Sequence, residues 1–271
     1  MTPGIHSITS EQYHSASGVS RSMLEWLTPP KTPAHFKAKY IDKLVPDEET
    51  PALRMGTLTH RCVLEPETMQ DAFYVKQDGL SFATKEGKAW KEAHADRPII
   101  TTEDAAMMNG MRDSVWNHPK ARAILAQSDF ERSAFADDNG LLLKARFDAL
   151  PRSGNVIADL KTCDHADLAS VEKSFMQYGY FRQAAFYLKV ANLCGLKRDF
   201  FVFIFVEKSP PYAVACYTPA DVILEAGAMM INRDLQLLRN CQAENRWPGY
   251  STAIEPCALP AWAMKTLEAE V

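Results

Sequence analysis

Paired cysteines are the first thing this chain lacks. Its six cysteines, Cys62, Cys163, Cys194, Cys216, Cys241 and Cys257, include no CxxC spacing. That excludes zinc ribbons and cysteine-held iron–sulfur clusters, and it reads as reduced, mainly buried thiols of a cytoplasmic protein. Long apolar runs are missing too. The most apolar stretch, Phe200 to Val206, falls far short of the ~20 residues of a spanning helix, and Met1 to Ser10 lacks the layout of a signal peptide. The expectation is a cytoplasmic protein with no membrane contact. Glycine and proline together make 28 of 271 residues, too few for a low-complexity chain. There is no basic surplus either. With 30 Lys and Arg against 34 Asp and Glu, the net charge of −4 means that a polyanion would have to be recognised at a local site.

What is present is the make-up of a folded protein, 46% hydrophobic and 24% charged, long enough for a sizeable core. The patterning predicts a single domain over residues 1–271, with a helical N-terminal portion to about 128 and a core over about 129–271. Helices are expected at Ser20–Leu27, Pro33–Tyr40, Leu53–Leu64, Thr84–Ala95, Thr102–Trp116 and Pro119–Ala126, with an acidic loop from Asp42 to Pro51. Strand-like runs follow at Ser133–Asp137, Leu141–Leu150 and Asn155–Thr162. Asp138-Asn139-Gly140 and Pro151-Arg152-Ser153-Gly154 join them, which gives an antiparallel meander. Two helices, Ala166–Met176 and Tyr178–Leu193, lead to Asp199–Glu207, an apolar run suited to a strand buried on both faces. A further strand, Tyr212–Tyr217, a long helix from Pro219 to about Asn245 and a C-terminal helix near Pro260 complete the chain. Helices inserted between meander and later strands require a crossover, so the fold class is α/β with a central mixed sheet flanked by helices.

The chemistry concentrates in two segments, Arg146-Phe147-Asp148 and Ala158-Asp159-Leu160-Lys161. Alternation puts Asp159 and Lys161 on one strand face, and the intervening turn folds Asp148 back beside Asp159. Two carboxylates and an ammonium then share a sheet edge, a donor set suited to Mg²⁺ or Mn²⁺. A plain strand-face ion pair would also explain Asp159 and Lys161. His60 lies one helical turn after Gly56, whose missing side chain would let another backbone approach; a satisfied core histidine is the competing reading. Gln183 and Tyr187 are spaced i, i+4 on one helical face.

In order, Gly-x-x-x-His, Asp, Asp-x-Lys and Gln-x-x-x-Tyr resemble the RecB-like branch of the PD-(D/E)xK nuclease superfamily. The resemblance is closer still to the RecE-type exodeoxyribonucleases (exonuclease VIII). It is carried by Tyr13-His14, Gly18-Val19-Ser20-Arg21-Ser22, Leu58-Thr59-His60-Arg61-Cys62-Val63-Leu64-Glu65-Pro66-Glu67, Lys144 to Asp148, Asp159 to Thr162, Gln183 to Tyr187, Trp247-Pro248 and Leu259-Pro260-Ala261-Trp262. The resemblance implies a PD-(D/E)xK nuclease core with metal ligands His60, Asp148, Asp159 and the Leu160 carbonyl. It makes Lys161 the residue acting on the attacking water and Glu131 an accessory acid. Gln183 and Tyr187 would steady the site or contact a phosphate. Ser20, Arg21 and Ser22, at an expected helix start, would hold a terminal 5′ phosphate; a plain cap with a surface arginine is the equal alternative.

The implied reaction is Mg²⁺-dependent (or Mn²⁺-dependent) 5′-to-3′ digestion of linear double-stranded DNA, with one or two ions per subunit. It would leave 3′ overhangs for recombination by strand annealing. The implied partners are double-stranded DNA ends, further copies of the chain in a trimeric or tetrameric ring, and a RecT-type single-strand annealing protein. Lys31, Lys37, Lys39, Lys43, Lys85, Lys88 and Lys91 would line a DNA channel or simply solvate helix faces. A structure-specific endonuclease on the same fold and a non-catalytic DNA-binding protein are the alternatives.

Overall fold

The computed structural model describes residues 1–46, 50–260 and 263–264. The chain opens with a short strand β1 (Gly4–His6) and small helices α1 (Ser10–Ser15), α2 (Arg21–Leu24) and α3 (Pro33–Phe36). Longer helix α4 (Pro51–Leu64) follows, then β2 (Tyr74–Val75), α5 (Lys85–Ala93), β3 (Ile99–Ile100), α6 (Thr102–Asn117) and α7 (Pro119–Leu125). The meander is β4 (Ser128–Asp138), β5 (Leu141–Pro151) and β6 (Val156–Cys163). Helices α8 (Leu168–Tyr178) and α9 (Tyr180–Leu193) cross to β7 (Phe200–Glu207), and β8 (Val214–Tyr217) and α10 (Asp221–Ala243) end the core.

Six strands form one mixed sheet in the order β1-β4-β5-β6-β7-β8, in which only β6 and β7 run parallel. The α8–α9 connection forces that parallel pair, as a crossover must. Asn139 and Gly140, both at positive φ, make the two-residue turn that the Asp138-Asn139-Gly140 signal anticipates. Strand β7 is buried on both faces. Phe201, Phe203 and Phe205 enter the core with α9 and α10, while Ile204 and Val206 enter the core with α4, α6 and α7. None of the described helices is long and apolar enough to cross a membrane, and all six cysteines are free thiols.

Several boundaries move. The Ser20–Leu27 helix shrinks to Arg21–Leu24, because Pro29-Pro30 follows closely, although Leu27 still enters the core beside Leu24. Strand β4 starts at Ser128, five residues before the expected Ser133, in a polar stretch without alternation. Strands β1, β2 and β3 have two or three residues each, below the length at which alternation is readable. Residues 47–49 of the acidic loop, and Ala261 and Trp262 of the C-terminal helix expected near Pro260, lie outside the described residues.

Helices α9 and α10 meet at Gly227, where an added Cβ would sit 2.6 Å from the Phe181 carbonyl oxygen. Alanine would gain up to about 1 kcal/mol of helix propensity, but the backbone clash costs about 1–3 kcal/mol. Gly227→Ala is therefore expected to lower stability by up to ~2 kcal/mol in urea unfolding, a net figure taken from those two terms; an unchanged midpoint would show that the helices can separate freely.

Candidate metal centre

The β4–β5 register pairs Phe130 with Ala149 and Arg132 with Phe147, which leaves Glu131 opposite Asp148. The β5–β6 pairing of Ala149 with Ala158 sets Asp148 opposite Asp159. Three carboxylates thus lie in a row across adjacent strands, an arrangement that repels itself without a cation. The backbone is bent to achieve it. Glu131 has φ +53°, uncommon for a residue within a strand. The burial phase of β5 reverses at the same point: Leu143, Ala145 and Phe147 face the α9 core, and so does Leu150, one residue out of step with them, while Ala149 faces the opposite core. The acids sit where the sheet changes phase.

His60 arrives from α4, with Nδ1 3.4 Å from Asp148 Oδ2 and the ring within hydrogen-bonding reach of the Leu160 carbonyl. Ligand atoms of His60, Glu131 and Asp148 all lie within 4.8 Å of one another. Asp148 Oδ2 accepts a hydrogen bond from the Leu160 N–H at 2.8 Å. Arg146 holds Glu131, donating from Nε to Oε2 at 2.5 Å, and also donates to the Ile8 carbonyl at 2.9 Å and Ser133 Oγ at 2.8 Å.

Asp159, expected as a ligand, meets a different geometry. It is 2% exposed, accepts from Gln183 Nε2 at 2.5 Å through Oδ1, and pairs with Lys161 Nζ at 2.5 Å through Oδ2. Oδ2, although close to that ammonium, accepts no hydrogen bond among the described residues; the ligand atoms that converge within 4.8 Å are those of His60, Glu131 and Asp148, so Glu131, expected only as an accessory, joins the cluster with Asp159 on the next strand. Polar sequence around Glu131 concealed this, since the strand there carries no readable alternation. Gln183 and Tyr187 do share a face of α9, and the Tyr187 ring lies edge-on to Phe147 and Phe201. Gly56 departs from expectation: among the described residues, nothing beyond its own helix lies within 4 Å of where its Cβ would stand, and it borders open space instead of a neighbouring backbone.

The trio forms the floor of a cleft of about 2060 Å³ that Lys161, Gln183 and Tyr187 also line. Residues 7–10, 12–18 and 20–23 make one wall. Ser20, Arg21 and Ser22 are in that wall, but α2 has only four residues and little dipole to offer an anion. The Arg21 guanidinium is already engaged by the Tyr178 and Gly179 carbonyls at 2.6 and 2.9 Å and by Glu25 at 2.9 Å. Of the lysines expected along a channel, Lys43 lines the cleft, whereas Lys37 pairs with Asp42 and Lys31 and Lys39 cover the Trp26 ring.

Electrostatics mark the floor as a cation site. Burial and the neighbouring Asp148 push Glu131 up to about 7; burial and Asp159 push Asp148 up to about 8. Burial and Lys161 depress His60, which favours the neutral ring a metal needs. Burial opposes the charge on Lys161, but Asp159 and Asp148 outweigh it and hold the ammonium protonated. Two half-buried oxygen donors that resist ionisation together, beside a neutral imidazole, fit a divalent cation.

Unfolded carboxyls titrate near ~4, so between about 4 and about 8 the folded, metal-free chain binds more protons than the unfolded one. Its stability should fall as pH rises through that window. The depressed His60 acts oppositely below about 6.5, which leaves ~6.5–8 as the clean interval. Melting temperature in chelator should fall across it, and a divalent cation should remove the fall; a flat profile in chelator would contradict the assigned electrostatics. For His60→Ala, half-maximal thermal stabilisation by a divalent cation should require about 10- to 100-fold more metal, judged from the affinity that metal-site partners supply. An unchanged metal titration would remove His60 from the ligand set.

A family described as a PDDEXK-like domain of unknown function (DUF3799) matches residues 20–260. No curated protein matches the chain. Among solved structures, a candidate exonuclease from Eubacterium rectale superposes with a TM-score of 0.64 at 14% identity, over 96% of this chain and 98% of its own. An alkaline exonuclease from Laribacter hongkongensis is matched over 88% of this chain and 97% of its own, at 11% identity and a TM-score of only 0.34. The first of these shows a likeness of fold.

Proposed function

The chain belongs to the PDDEXK-like DUF3799 family, and from that premise we propose that it is a divalent-metal-dependent deoxyribonuclease that digests linear double-stranded DNA. The observation that carries the reading is the convergence of His60, Glu131 and Asp148 at the cleft floor, with the Asp159–Lys161 pair beside them. An ion held by that trio supplies Lewis acidity toward a scissile phosphate and lowers the pKa of a water. Mg²⁺ or Mn²⁺, one or two per subunit, is the ion of choice for such oxygen-rich ligands.

The protein's own groups do the rest. Lys161 presents its ammonium to the cleft, where it can orient the attacking water and stabilise charge on the phosphate as a P–O bond forms and the P–O3′ bond breaks. Asp159 anchors Lys161, and Gln183 anchors Asp159. Arg146 sets Glu131 against the self-repulsion of the acid row. The finer reading follows the resemblance to RecE-type enzymes: 5′-to-3′ polarity, 3′ overhangs for annealing, a ring of three or four subunits on DNA ends, and a RecT-type partner in the cytoplasm. Ser20, Arg21 and Ser22 belong to this finer reading as contacts of the 5′ end, with Arg21 having to leave the Tyr178 and Gly179 carbonyls to take part.

The decisive experiment is metal-dependent digestion of one plasmid in linear and covalently closed forms, with Asp159→Ala alongside. Loss of the linear form alone, absent in the mutant, supports the proposal. Cutting of the closed circle would turn the reading to an endonuclease, and no digestion of either form to a DNA-binding protein.

A further inference from the structure

Lys161 is more constrained than its ion pair explains. An ammonium has three N–H donors, and among the described residues Asp159 is its one ion-pair partner. A half-buried cation with two directions unanswered still pays for lost hydration. One of those directions is answered by Tyr180, the first residue of α9, over whose ring Lys161 Nζ lies 5.2 Å from the centroid. The third is left for the cleft, which both Lys161 and Tyr180 line.

The ring is itself held firmly. Tyr180 packs against Phe203 and Phe205 of β7, with centroids at 5.4 and 5.9 Å, against Phe175 at 5.8 Å and against Tyr178 at 5.6 Å. The face of α9 is therefore used three times at helical spacing. Tyr180 addresses Lys161, Gln183 addresses Asp159, and Tyr187 packs on Phe147.

We propose that Tyr180 is a positioning residue whose ring face, with Asp159, fixes the Lys161 ammonium so that its remaining donor points at the substrate. The proposal rests on the nuclease reading for its kinetic consequence, but the placement of Lys161 is a property of the chain alone. The ring acts through its electrons, not its hydroxyl.

The test compares Tyr180→Leu, Tyr180→Phe and phenylalanine analogues at 180 carrying one, two and three ring fluorines, which weaken the ring's negative face while keeping its shape. Tyr180→Leu should lower kcat by about 5- to 30-fold, with KM and the Mg²⁺ titration unmoved, and Tyr180→Phe should restore most of the rate. The rate should then fall stepwise with fluorination. Independently of activity, reductive methylation of the metal-free protein, read at Lys161 by peptide mass spectrometry, should be faster in Tyr180→Leu than in Tyr180→Phe. Equal losses in Leu and Phe would assign the role to the hydroxyl and overturn the proposal, as would wild-type rates in Leu. If Tyr180→Leu fails to fold, the fluorine series decides: a flat series overturns. If the wild type cleaves no DNA, the nuclease reading fails by itself, and unchanged Lys161 labelling would overturn the positioning role separately.

Discussion

Lys161→Ala is expected to leave a folded protein whose metal-dependent DNA cleavage has fallen by about 10²–10⁴-fold, the usual cost of losing a positioned acid–base or electrostatic group. Folding should survive because neither apolar core loses a side chain, although the change uncovers part of the Tyr180 ring and leaves Asp159 buried without its cation. Some stability is therefore lost as well, and rates must be compared at a temperature where circular dichroism shows both proteins folded. The informative companion is Lys161→Arg. Arginine keeps the charge but cannot surrender a proton. Recovery in Arg would assign Lys161 an electrostatic role, whereas continued loss would assign it to water activation or to a geometry that a guanidinium cannot meet. Wild-type cleavage in Lys161→Ala would sink the site assignment.

The core architecture was legible because its signals are local and strong. Asp138-Asn139-Gly140 can hardly be anything other than a hairpin turn, and the Phe200–Val206 run is too apolar for a strand with a wet face. The Asp148–Asp159 juxtaposition followed from the turn between them. What stayed hidden depends on long-range packing. Glu131 joins the site through a register and a backbone twist that no spacing encodes, and its polar flanks look like loop. The engagement of Asp159 by Gln183 links residues 24 positions apart, through the α9 packing that follows the meander. Arg21 reads as a free surface cation next to a helix start, yet α8 ends close enough for its last carbonyls to claim the guanidinium. Tyr180 stands three residues before Gln183 but drew no notice, because nothing local says that Lys161 lies beneath it.

Asp148→Asn should separate function from stability in opposite directions. Cleavage should drop by about 10³-fold or more, since several kcal/mol of charge stabilisation come from an ion held in such a site. The metal-free protein, however, should become more stable. Burial and Asp159 push the Asp148 carboxyl up to about 8, so at pH 8 the fold has to ionise a group it prefers neutral beside Glu131 and Asp159. An amide removes that demand. Its oxygen can still accept from the Leu160 N–H, and its shape is that of the carboxylate it replaces. A gain on the order of 2 kcal/mol, or about 5 °C in melting temperature for a chain of this size, is expected in chelator at pH 8. The gain should shrink toward pH 5, where the wild-type carboxyl is protonated in the folded state, and should shrink also when Mg²⁺ or Mn²⁺ stabilises the wild type alone. A site kept for catalysis at the expense of the apo fold would show this pattern. Loss of stability in Asp148→Asn under all these conditions would instead make Asp148 a structural acid, and the acid row would then no longer argue for a metal.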